Sequence, residues 1–210
     1  MYIVPEKLIS ELISLKTSYS AVEDVFSAMA KKKAYNFPVI RESIGYSNAL
    51  YGFKSGFDKE GLSLGLKAGG YWPENESMGI PNHQSTIFLF DANTGKISAI
   101  VGGNLLTAFR TAAASSISIN HLARQDSKVL GMIGAGYQSA FQMQAAAQQR
   151  GFEKILGWNH HPEMISRLEQ TAEELGILYE TVSLDRLGAE SDVIITITSS
   201  FSAILKSCQV

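Results

Sequence analysis

Apolar residues recur at every third or fourth position over residues 5–15 and again over 20–34. This spacing predicts two amphipathic helices, because it places the apolar side chains on one helical face. Ser20 and Glu23 have the spacing of a capping box, so we expect the second helix to begin at Ser20. The lysine run at 31–33 is typical of a solvated helix end, where cations interact favourably with the helix dipole.

The hydrophobic period changes to two between residues 37 and 101. Residues 62–68 alternate leucines with small or polar residues, which predicts a strand with one buried face. Residues 85–101 predict two strands joined by a tight turn. The segment between them, 69–83, is rich in glycine, proline and asparagine, so we predict a loop there.

Strand and helix patterns alternate in the second half of the chain. Residues 103–123 are rich in small residues and predict a long helix, with Asn104 as its candidate N-cap. The predicted strands that follow are 128–133, 154–159, 178–182 and 192–198, and the predicted helices are 138–150 and 162–175. This alternation indicates an α/β fold with a parallel sheet. We expect a domain boundary near residue 120, inside or after the long helix.

Residues 129–140, VLGMIGAGYQSA, join an apolar strand to a helix through a glycine turn. Gly134 and Gly136 match the first two glycines of the dinucleotide-binding fingerprint, and the third position is Ser139, which is small but not glycine. Such a turn would present the N-terminus of the helix to a pyrophosphate. The motif by itself is equally consistent with a structural turn, but the strand before it and the helix after it favour a cofactor site.

The end of the next predicted strand is where a dinucleotide-binding fold reads the adenosine ribose. An acidic residue there accepts a hydrogen bond from the ribose 2′-hydroxyl and disfavours a 2′-phosphate. The chain instead has Asn159 and His160, which favours NADP(H), with NAD(H) as the alternative. His160 and His161 have no cysteine or aspartate nearby in the sequence, so we predict no metal site.

Arg110 is the only formally charged side chain between Ile97 and Ala123. A buried guanidinium is costly without a partner, so Arg110 pairs with a distant acid, reaches the surface, or binds a ligand. Lys67 lies on a predicted strand face with small neighbours that leave room for a ligand, although an exposed strand lysine is the commoner case. Arg41 is a third candidate cation. Three converging cations would suit a carboxylate, which arginine binds with two hydrogen bonds.

The composition narrows the class of protein. Hydrophobic residues make up 45% of the chain and charged residues 18%, with a formal net charge of −2, as in soluble globular proteins. Basic residues form no run of the kind that binds nucleic acid, and no apolar segment is long enough to span a membrane. Cys208 is the single cysteine and cannot form an intramolecular disulfide, so we expect a cytoplasmic protein.

Three stretches of the chain, residues 66–116, 122–142 and 191–200, resemble the ornithine cyclodeaminase/mu-crystallin family. The block LTAFRTAA joined to GAGYQ at this spacing is quite specific. The resemblance implies an α+β domain over 1–120 for substrate binding and dimerisation, and a Rossmann-type domain with a parallel sheet over 121–210. It also implies a homodimer that binds NAD(H) or NADP(H).

The resemblance also assigns candidate site residues, each carried over by its position. The substrate carboxylate would be held by Arg41, Lys67 and Arg110, with Lys67 also the catalytic candidate and Thr86 near the pocket. The pyrophosphate turn would be formed by Gly134, Ala135, Gly136, Tyr137 and Gln138. The adenosine ribose would face Asn159 and His160, and the nicotinamide side would hold Thr198 and Ser199.

Members of this family continue beyond the point that corresponds to Val210, and their usual catalytic acid lies in that continuation. We therefore expect the Rossmann sheet to be incomplete at the C-terminus, with an open edge strand. We also expect reduced stability or a compensating interface.

Three functions remain open at this stage. The first is an NAD(P)-dependent oxidoreductase that acts on a small amino or imino acid, as a ketimine reductase does. The second is an ornithine cyclodeaminase-type lyase that forms proline and ammonia. The third is a non-catalytic protein that binds NADP(H) or another small ligand. The absence of an acid at residue 159 favours the NADP-linked reductase.

Overall fold

A computed structural model of the chain describes residues 1–200 and 202–209. The chain divides into two compact units, Met1–Arg110 and Thr111–Val210. This division falls inside a long helix, Asn104–Leu122, and the boundary predicted near residue 120 lies in the same helix.

Helices and strands cover most of both units. The helices are α1 (Ile9–Leu12), α2 (Leu15–Ala30), α3 (Asn104–Leu122), α4 (Ser139–Ala147), α5 (Ser166–Leu175) and α6 (Leu184–Glu190). The strands are β1 (Tyr2–Val4), β2 (Ala34–Asn36), β3 (Ile40–Ser43), β4 (Leu50–Asp58), β5 (Ser63–Tyr71), β6 (His83–Asp91), β7 (Ile97–Gly102), β8 (Val129–Ile133), β9 (Lys154–Trp158), β10 (Leu178–Thr181) and β11 (Val193–Thr196). Short 3-10 turns occupy Glu6–Leu8, Pro73–Met78, Pro162–Met164 and Ser207–Gln209.

The first unit is built on a mixed sheet with the strand order β1-β7-β6-β5-β4-β2, in which β3 also pairs with β4. Its pairings are antiparallel except for β1, which runs parallel to β7. The long strands β4, β5 and β6 form the middle of this sheet, and they support the site described below.

Strand β5 extends beyond the segment that the sequence predicts. We predicted a strand at 62–68 and then a loop, whereas β5 continues to Tyr71. The reason is tertiary, because Tyr71 pairs with Leu50 on one side and His83 on the other. Two flanking ladders override the low strand propensity of glycine. Gly69 is also required sterically, since a Cβ there would lie 2.3 Å from a backbone oxygen of β6.

Helix α2 begins earlier than we predicted. Its N-cap is Ser14, whose hydroxyl accepts a hydrogen bond from the Thr17 backbone N–H at 3.2 Å, while the Thr17 hydroxyl accepts one from the Ser14 N–H at 2.9 Å. Ser20 lies inside the helix and donates to the Lys16 carbonyl at 3.4 Å. The predicted start at Ser20 is therefore wrong, because a threonine can complete the reciprocal cap that is usually completed by glutamate or glutamine.

The second unit confirms the predicted α/β fold with a Rossmann-type parallel sheet. Its strands lie in the order β10-β9-β8-β11, and every pairing between them is parallel. The core between sheet and helices includes Leu130, Met132, Met143, Ile155 and Leu168, each 0% exposed. Helix α5 ends at Gly176, which has a φ of 68° and takes the left-handed conformation that glycine adopts without strain.

Arg150 holds the C-terminal end of α3 in the second unit. It is 7% exposed, and its guanidinium donates to five backbone carbonyls at 2.7–3.0 Å. The acceptors are Ile119, Asn120, Ala123, Arg124 and Gln149. A cation is favourable at a helix C-terminus, where carbonyl groups have no partner within the helix. Arg150 is therefore a structural residue.

The described residues lack two features, a membrane-spanning helix and a cluster of metal ligands. Within residues 1–200 and 202–209, no helix has the length and apolar character needed to cross a membrane. The same residues contain no group of three or more histidine, cysteine, aspartate or glutamate side chains that could hold a metal ion.

Candidate functional site

A cavity of about 530 Å³ opens in the first unit, between the sheet and the N-terminal half of α3. This is the size range of small-molecule sites. The lining residues are Asn36, Val39, Lys54, Ser55, Lys67, Ile87, Leu106, Thr107 and Arg110. Three of these described residues are cationic and none is acidic, so the cavity is suited to an anion.

The floor of the cavity is the face of the sheet that carries two lysines. Lys54 of β4 and Lys67 of β5 lie directly opposite each other in the antiparallel register. Side chains alternate along a strand, so residues two positions away share the face of each lysine. All of these are glycines, namely Gly52, Gly56, Gly65 and Gly69. The lysines therefore rise from a floor without other side chains along their own strands.

The wall of the cavity is one face of α3, which carries Leu106, Thr107 and Arg110. The buried Thr107 hydroxyl donates to the Gly103 carbonyl at 2.7 Å and accepts from the Lys67 ammonium at 3.0 Å. Thr107 therefore fixes the position of Lys67 from the helix side. The spacing of Thr107 and Arg110 places both on the same helical face.

The N-terminus of α3 is held by residues that are distant in the sequence. The Glu6 carboxylate accepts hydrogen bonds from the backbone N–H groups of Asn104 at 3.1 Å and Leu105 at 2.7 Å. The Asn104 side-chain oxygen accepts from the Ser85 N–H at 2.8 Å, which ties the helix to β6. A carboxylate is favourable at this end of a helix dipole. Asn104, our candidate N-cap, is thus engaged with the sheet, and Glu6 satisfies the helix N–H groups.

The charges around the cavity change the proton affinity of its groups. The pKa of Lys67 is lowered from 10.5 to about 8 by burial and by the neighbouring charges of Arg110 and Lys54. Burial also lowers the pKa of Arg110, which stays accessible through the cavity and makes no ion pair with any acid in the described part of the chain. Positive charge is therefore concentrated at this cavity, which has no acidic residue in its described lining.

His83 lies near the cavity cations although its sequence context did not predict a role for it. It lies at the start of β6, and its pKa is lowered by burial and then by the charges of Lys67, Arg110, Lys54 and Arg41. The imidazole is therefore held in its neutral form. No role was predicted for Lys54 either, because its register with Lys67 across β4 and β5 cannot be read from the chain.

The predicted substrate residues are brought together only in part. Lys67 and Arg110 both line the cavity. Arg41 lies opposite Gly52 in the sheet, close enough to influence His83, but outside the cavity lining. Thr86 precedes the lining residue Ile87 on β6, so its side chain lies on the other face of the sheet, and the structure does not bring it to the cavity.

The glycine turn of the second unit has the geometry that a pyrophosphate needs. Gly134 has a φ of 109°, and a Cβ there would lie 2.3 Å from the Ile197 carbonyl oxygen, so only glycine fits. A Cβ on Gly136 would meet nothing within 4 Å, which leaves the turn open to a ligand. Ser139, at the position of the third glycine, is buried and donates to the Gly136 carbonyl at 2.7 Å. Ser139 therefore replaces the third glycine of the fingerprint, and its hydroxyl stabilises the turn through this hydrogen bond.

Helix α4 follows this turn without a side-chain cap. Gln138 occupies the N-cap position and makes no capping hydrogen bond. Its side-chain oxygen is buried and has no hydrogen-bond partner among the described residues. Tyr137, the preceding residue of the turn, is exposed. The helix N-terminus is thus available to an anion, and Gln138 offers an unused acceptor.

Asn159 has a structural role that the sequence did not suggest. Its side-chain oxygen accepts from the Ala135 N–H at 3.1 Å, and its side-chain nitrogen donates to the His161 carbonyl at 2.8 Å. It therefore ties the glycine turn to the end of β9. His160 is exposed beside it, and the Nδ1 of His161 lies 3.4 Å from a Glu163 carboxylate oxygen.

The nicotinamide-side candidates follow β11. The methyl group of Thr198 would lie 3.0 Å from a Cβ on Gly134, so Thr198 is beside the turn. Its hydroxyl accepts from the Ser200 N–H at 3.3 Å, and Ser199 is exposed. The turn, Asn159 and Thr198 all follow the carboxyl ends of parallel strands, which is where ligands bind in open α/β sheets.

Comparisons with known proteins agree with this geometry. A sequence model of the ornithine cyclodeaminase/mu-crystallin family matches residues 6–209. The iminosuccinate reductase of Paracoccus denitrificans is 63% identical over 205 residues, which are 98% of this chain and 64% of that protein. Its crystal structure in complex with NAD+ superimposes with a TM-score of 0.93 at 62% identity, covering 100% of this chain and 65% of that one.

A more distant structure has the same fold. The Δ1-pyrroline-2-carboxylate reductase of Thermococcus litoralis, in complex with NADH and L-proline, has a TM-score of 0.87 at 31% identity, over 93% of this chain and 61% of that one. The chain spans less than two thirds of the length of each of these relatives.

Proposed function

Because the chain belongs to the ornithine cyclodeaminase/mu-crystallin family, we propose that it is a nicotinamide-dependent reductase of a small imino acid. The observation that carries this proposal is the cavity of the first unit, where Lys54, Lys67 and Arg110 meet with no acidic lining residue. An imino acid offers the carboxylate that such a site binds. The relatives described above are named reductases of imino acids, which supports the same chemistry.

The residues of the cavity would bind and orient the substrate. Arg110 would hold the carboxylate through two parallel hydrogen bonds, and Lys67, fixed by Thr107, would donate a third. With a pKa of about 8, Lys67 can also exchange a proton near neutral pH, so it is the proposed catalytic residue of this chain. The roles predicted for Arg41 and Thr86 remain predictions. Of these two, Arg41 lies closer to the cavity cations, because its charge contributes to the lowered pKa of His83.

The glycine turn fits a dinucleotide, which supplies a hydride when bound. The turn at 134–138 and the N-terminus of α4 would hold the pyrophosphate, with Gly136 leaving the space for it. The unused oxygen of Gln138 would accept a hydrogen bond from the cofactor. His160 would lie near the adenosine ribose, and Thr198 and Ser199 would lie toward the nicotinamide.

The predicted preference for NADP(H) is not confirmed, and we propose NAD(H) instead. The amide of Asn159 is engaged by the turn and by His161, so it is a poor reader of a 2′-phosphate. The carboxylate of Glu163 beside His161 would repel such a phosphate. The relative from Paracoccus denitrificans was solved with NAD+, which agrees with this choice.

The cavity argues against the lyase alternative. Ornithine carries a second ammonium group, which would enter a site where Lys54, Lys67 and Arg110 already repel cations. No acidic side chain lines the described part of the cavity to receive it. We therefore favour the reductase function over the cyclodeaminase function.

The test is the oxidation of NADH or NADPH, followed by absorbance, when the purified protein meets an imino acid. Iminosuccinate, formed in place from oxaloacetate and ammonia, and Δ1-pyrroline-2-carboxylate are the first substrates to compare. We expect oxidation of NADH that exceeds that of NADPH and is lost in Arg110→Met. Cofactor binding without turnover would instead support the non-catalytic binding protein, and release of ammonia from ornithine would revive the lyase.

A further inference from the structure

Two lysines face each other across the middle of the cavity floor. Lys54 and Lys67 are directly paired in the β4–β5 register, on the same face of the sheet. Like charges in directly opposed positions destabilise a sheet. The charge of Lys54 is one cause of the lowered pKa of Lys67, so the repulsion reaches the Lys67 ammonium. The pairing of Lys54 with Lys67 is destabilising, and no acidic residue among those described lines the cavity to offset it. An anionic ligand would remove this repulsion.

The two ammonium groups are held differently. Lys67 donates to the Thr107 hydroxyl at 3.0 Å and stands next to Arg110, with which it can serve one carboxylate. Lys54 is exposed, and its ammonium makes no hydrogen bond or ion pair with the described residues. Lys54 therefore lines the cavity with an ammonium group that is available to donate hydrogen bonds to a ligand.

The position of Lys54 suits a second anionic group. Neighbouring strands are about 4.8 Å apart, so Lys54 is displaced from Lys67 by roughly that distance across the floor. A four-carbon diacid can span such a displacement with its two carboxylates. The side chain of Asn36 lies on the same side, because its oxygen would lie 3.3 Å from a Cβ on Gly56, the glycine two residues from Lys54 on this face. The NH2 group of this amide is an uncharged donor.

We propose that Lys54 binds the second carboxylate of a dicarboxylic imino acid and thereby selects this class over monocarboxylic imino acids. The inference rests on the proposed function and assigns its substrate class to one residue. Arg110 and Lys67 hold the carboxylate next to the imino carbon, and Lys54 holds the distal one. On this face the residues on either side of Lys54 along β4 are Gly52 and Gly56, so no side chain of its own strand stands between Lys54 and the distal carboxylate.

The experiment compares Lys54→Gln with the unmodified protein on two substrates. We expect kcat/KM for iminosuccinate to fall about 10- to 100-fold, the range for losing a hydrogen bond to a charged group. We expect kcat/KM for Δ1-pyrroline-2-carboxylate to change less than about threefold, and Lys54→Arg to retain part of the selectivity. Lys96→Gln is the matched control, because Lys96 is an exposed lysine in the β6–β7 turn, away from the cavity lining.

Two further measurements separate the possible failures. An equal loss on both substrates would overturn the selectivity proposal and leave the reductase intact. Absence of NADH oxidation with every imino acid would defeat the reductase, and calorimetric binding of succinate and propionate would then test Lys54 alone. Weaker binding of succinate but not of propionate in Lys54→Gln supports the proposal, and no change in succinate binding refutes it. The unfolding temperature of Lys54→Gln should stay level or rise, because a repulsion is removed.

Discussion

The two units each contain an arginine that makes no ion pair with an acid in the described residues. The two arginines differ in their surroundings and in their hydrogen-bond partners. Arg150 is buried, and five carbonyl oxygens of its own unit accept its hydrogen bonds. Arg110 opens onto a cavity beside two lysines, and no carboxylate is provided for it among the described residues. Arg150 is a buried charge and has its partners within the fold, whereas the exposed Arg110 faces the cavity without one in the described part of the chain.

The same contrast holds for the other charges of the two units. In the second unit Asp192 accepts from the N–H groups of Lys128 and Val129, and Glu180 pairs with both Lys154 and Arg186. In the first unit the cavity leaves its cations uncompensated. Charges with partners inside the protein stabilise the fold, and we propose that the cavity cations, which have no acidic partner among the described residues, bind a ligand. This difference can be tested residue by residue.

The largest expected effect is on stability, from Arg150→Met. This change leaves the carbonyl groups at the end of α3 without a donor in a buried setting, so the free energy of unfolding should fall by about 3 kcal/mol or more. Chemical denaturation monitored by circular dichroism measures the loss. Arg186→Met is the control in the same unit, because its exposed ion pairs contribute much less. Equal losses in the two variants would show that the carbonyl contacts of Arg150 carry no special weight.

Arg110→Met should show the reverse behaviour. The affinity for succinate should fall about 100-fold, as when one partner of a charge-assisted contact is removed. The unfolding temperature should be unchanged or higher, because a repulsive charge leaves the cavity. Calorimetry and thermal melts measure the two quantities on the same samples. A marked loss of stability would show that Arg110 is a structural residue like Arg150.

The pH dependence of binding should identify Lys67. Its pKa of about 8 in the free protein means that the ammonium form, which binds a carboxylate, is depleted as the pH rises through this value. Succinate is fully ionised above pH 7, so its affinity should fall by up to tenfold per pH unit above pH 8. Folding stability should change in the opposite direction, because a lysine whose pKa is lowered in the folded state stabilises folding as the pH rises toward 10.5.

The control for this experiment is Lys67→Gln, in which the affinity should be low and nearly independent of pH over the same range. A profile for Lys67→Gln with the same slope as the unmodified protein would assign the titration to another group. The neutral His83 cannot produce this slope, because its pKa lies below 6.5.

Local patterns predicted the second unit well and the first unit incompletely. Apolar strands that alternate with amphipathic helices identified the parallel sheet, and the glycine turn after β8 was predicted where the structure has it. The family resemblance was likewise confirmed by a match over residues 6–209. In the first unit, glycines led us to predict a loop at the end of β5, because its strand character there comes from pairing with the neighbouring strands.

The site shows the same limit. Arg110 and Lys67 could be found because each stood out from its local sequence, whereas Lys54 and His83 acquire their meaning only from the register of the sheet. Asn159 was recognised as unusual, but its role depends on a hydrogen bond to Ala135 across the turn. Contacts between residues that are far apart in the chain carry no periodic signal, so sequence patterns cannot supply them.

Glu6 provides a test of that point with the smallest expected effect. Its carboxylate holds the first N–H groups of α3, a contact that joins residues 98 and 99 positions apart. Glu6→Ala should lower the free energy of unfolding by about 1 kcal/mol, as the loss of a helix cap does, and Glu6→Gln should cost less because one oxygen remains. Glu11→Ala, at an exposed position of α1, is the matched control. Because α3 carries Thr107 and Arg110, succinate affinity should also decrease slightly in Glu6→Ala, and an unchanged affinity together with unchanged stability would show that this cap does not position the cavity wall.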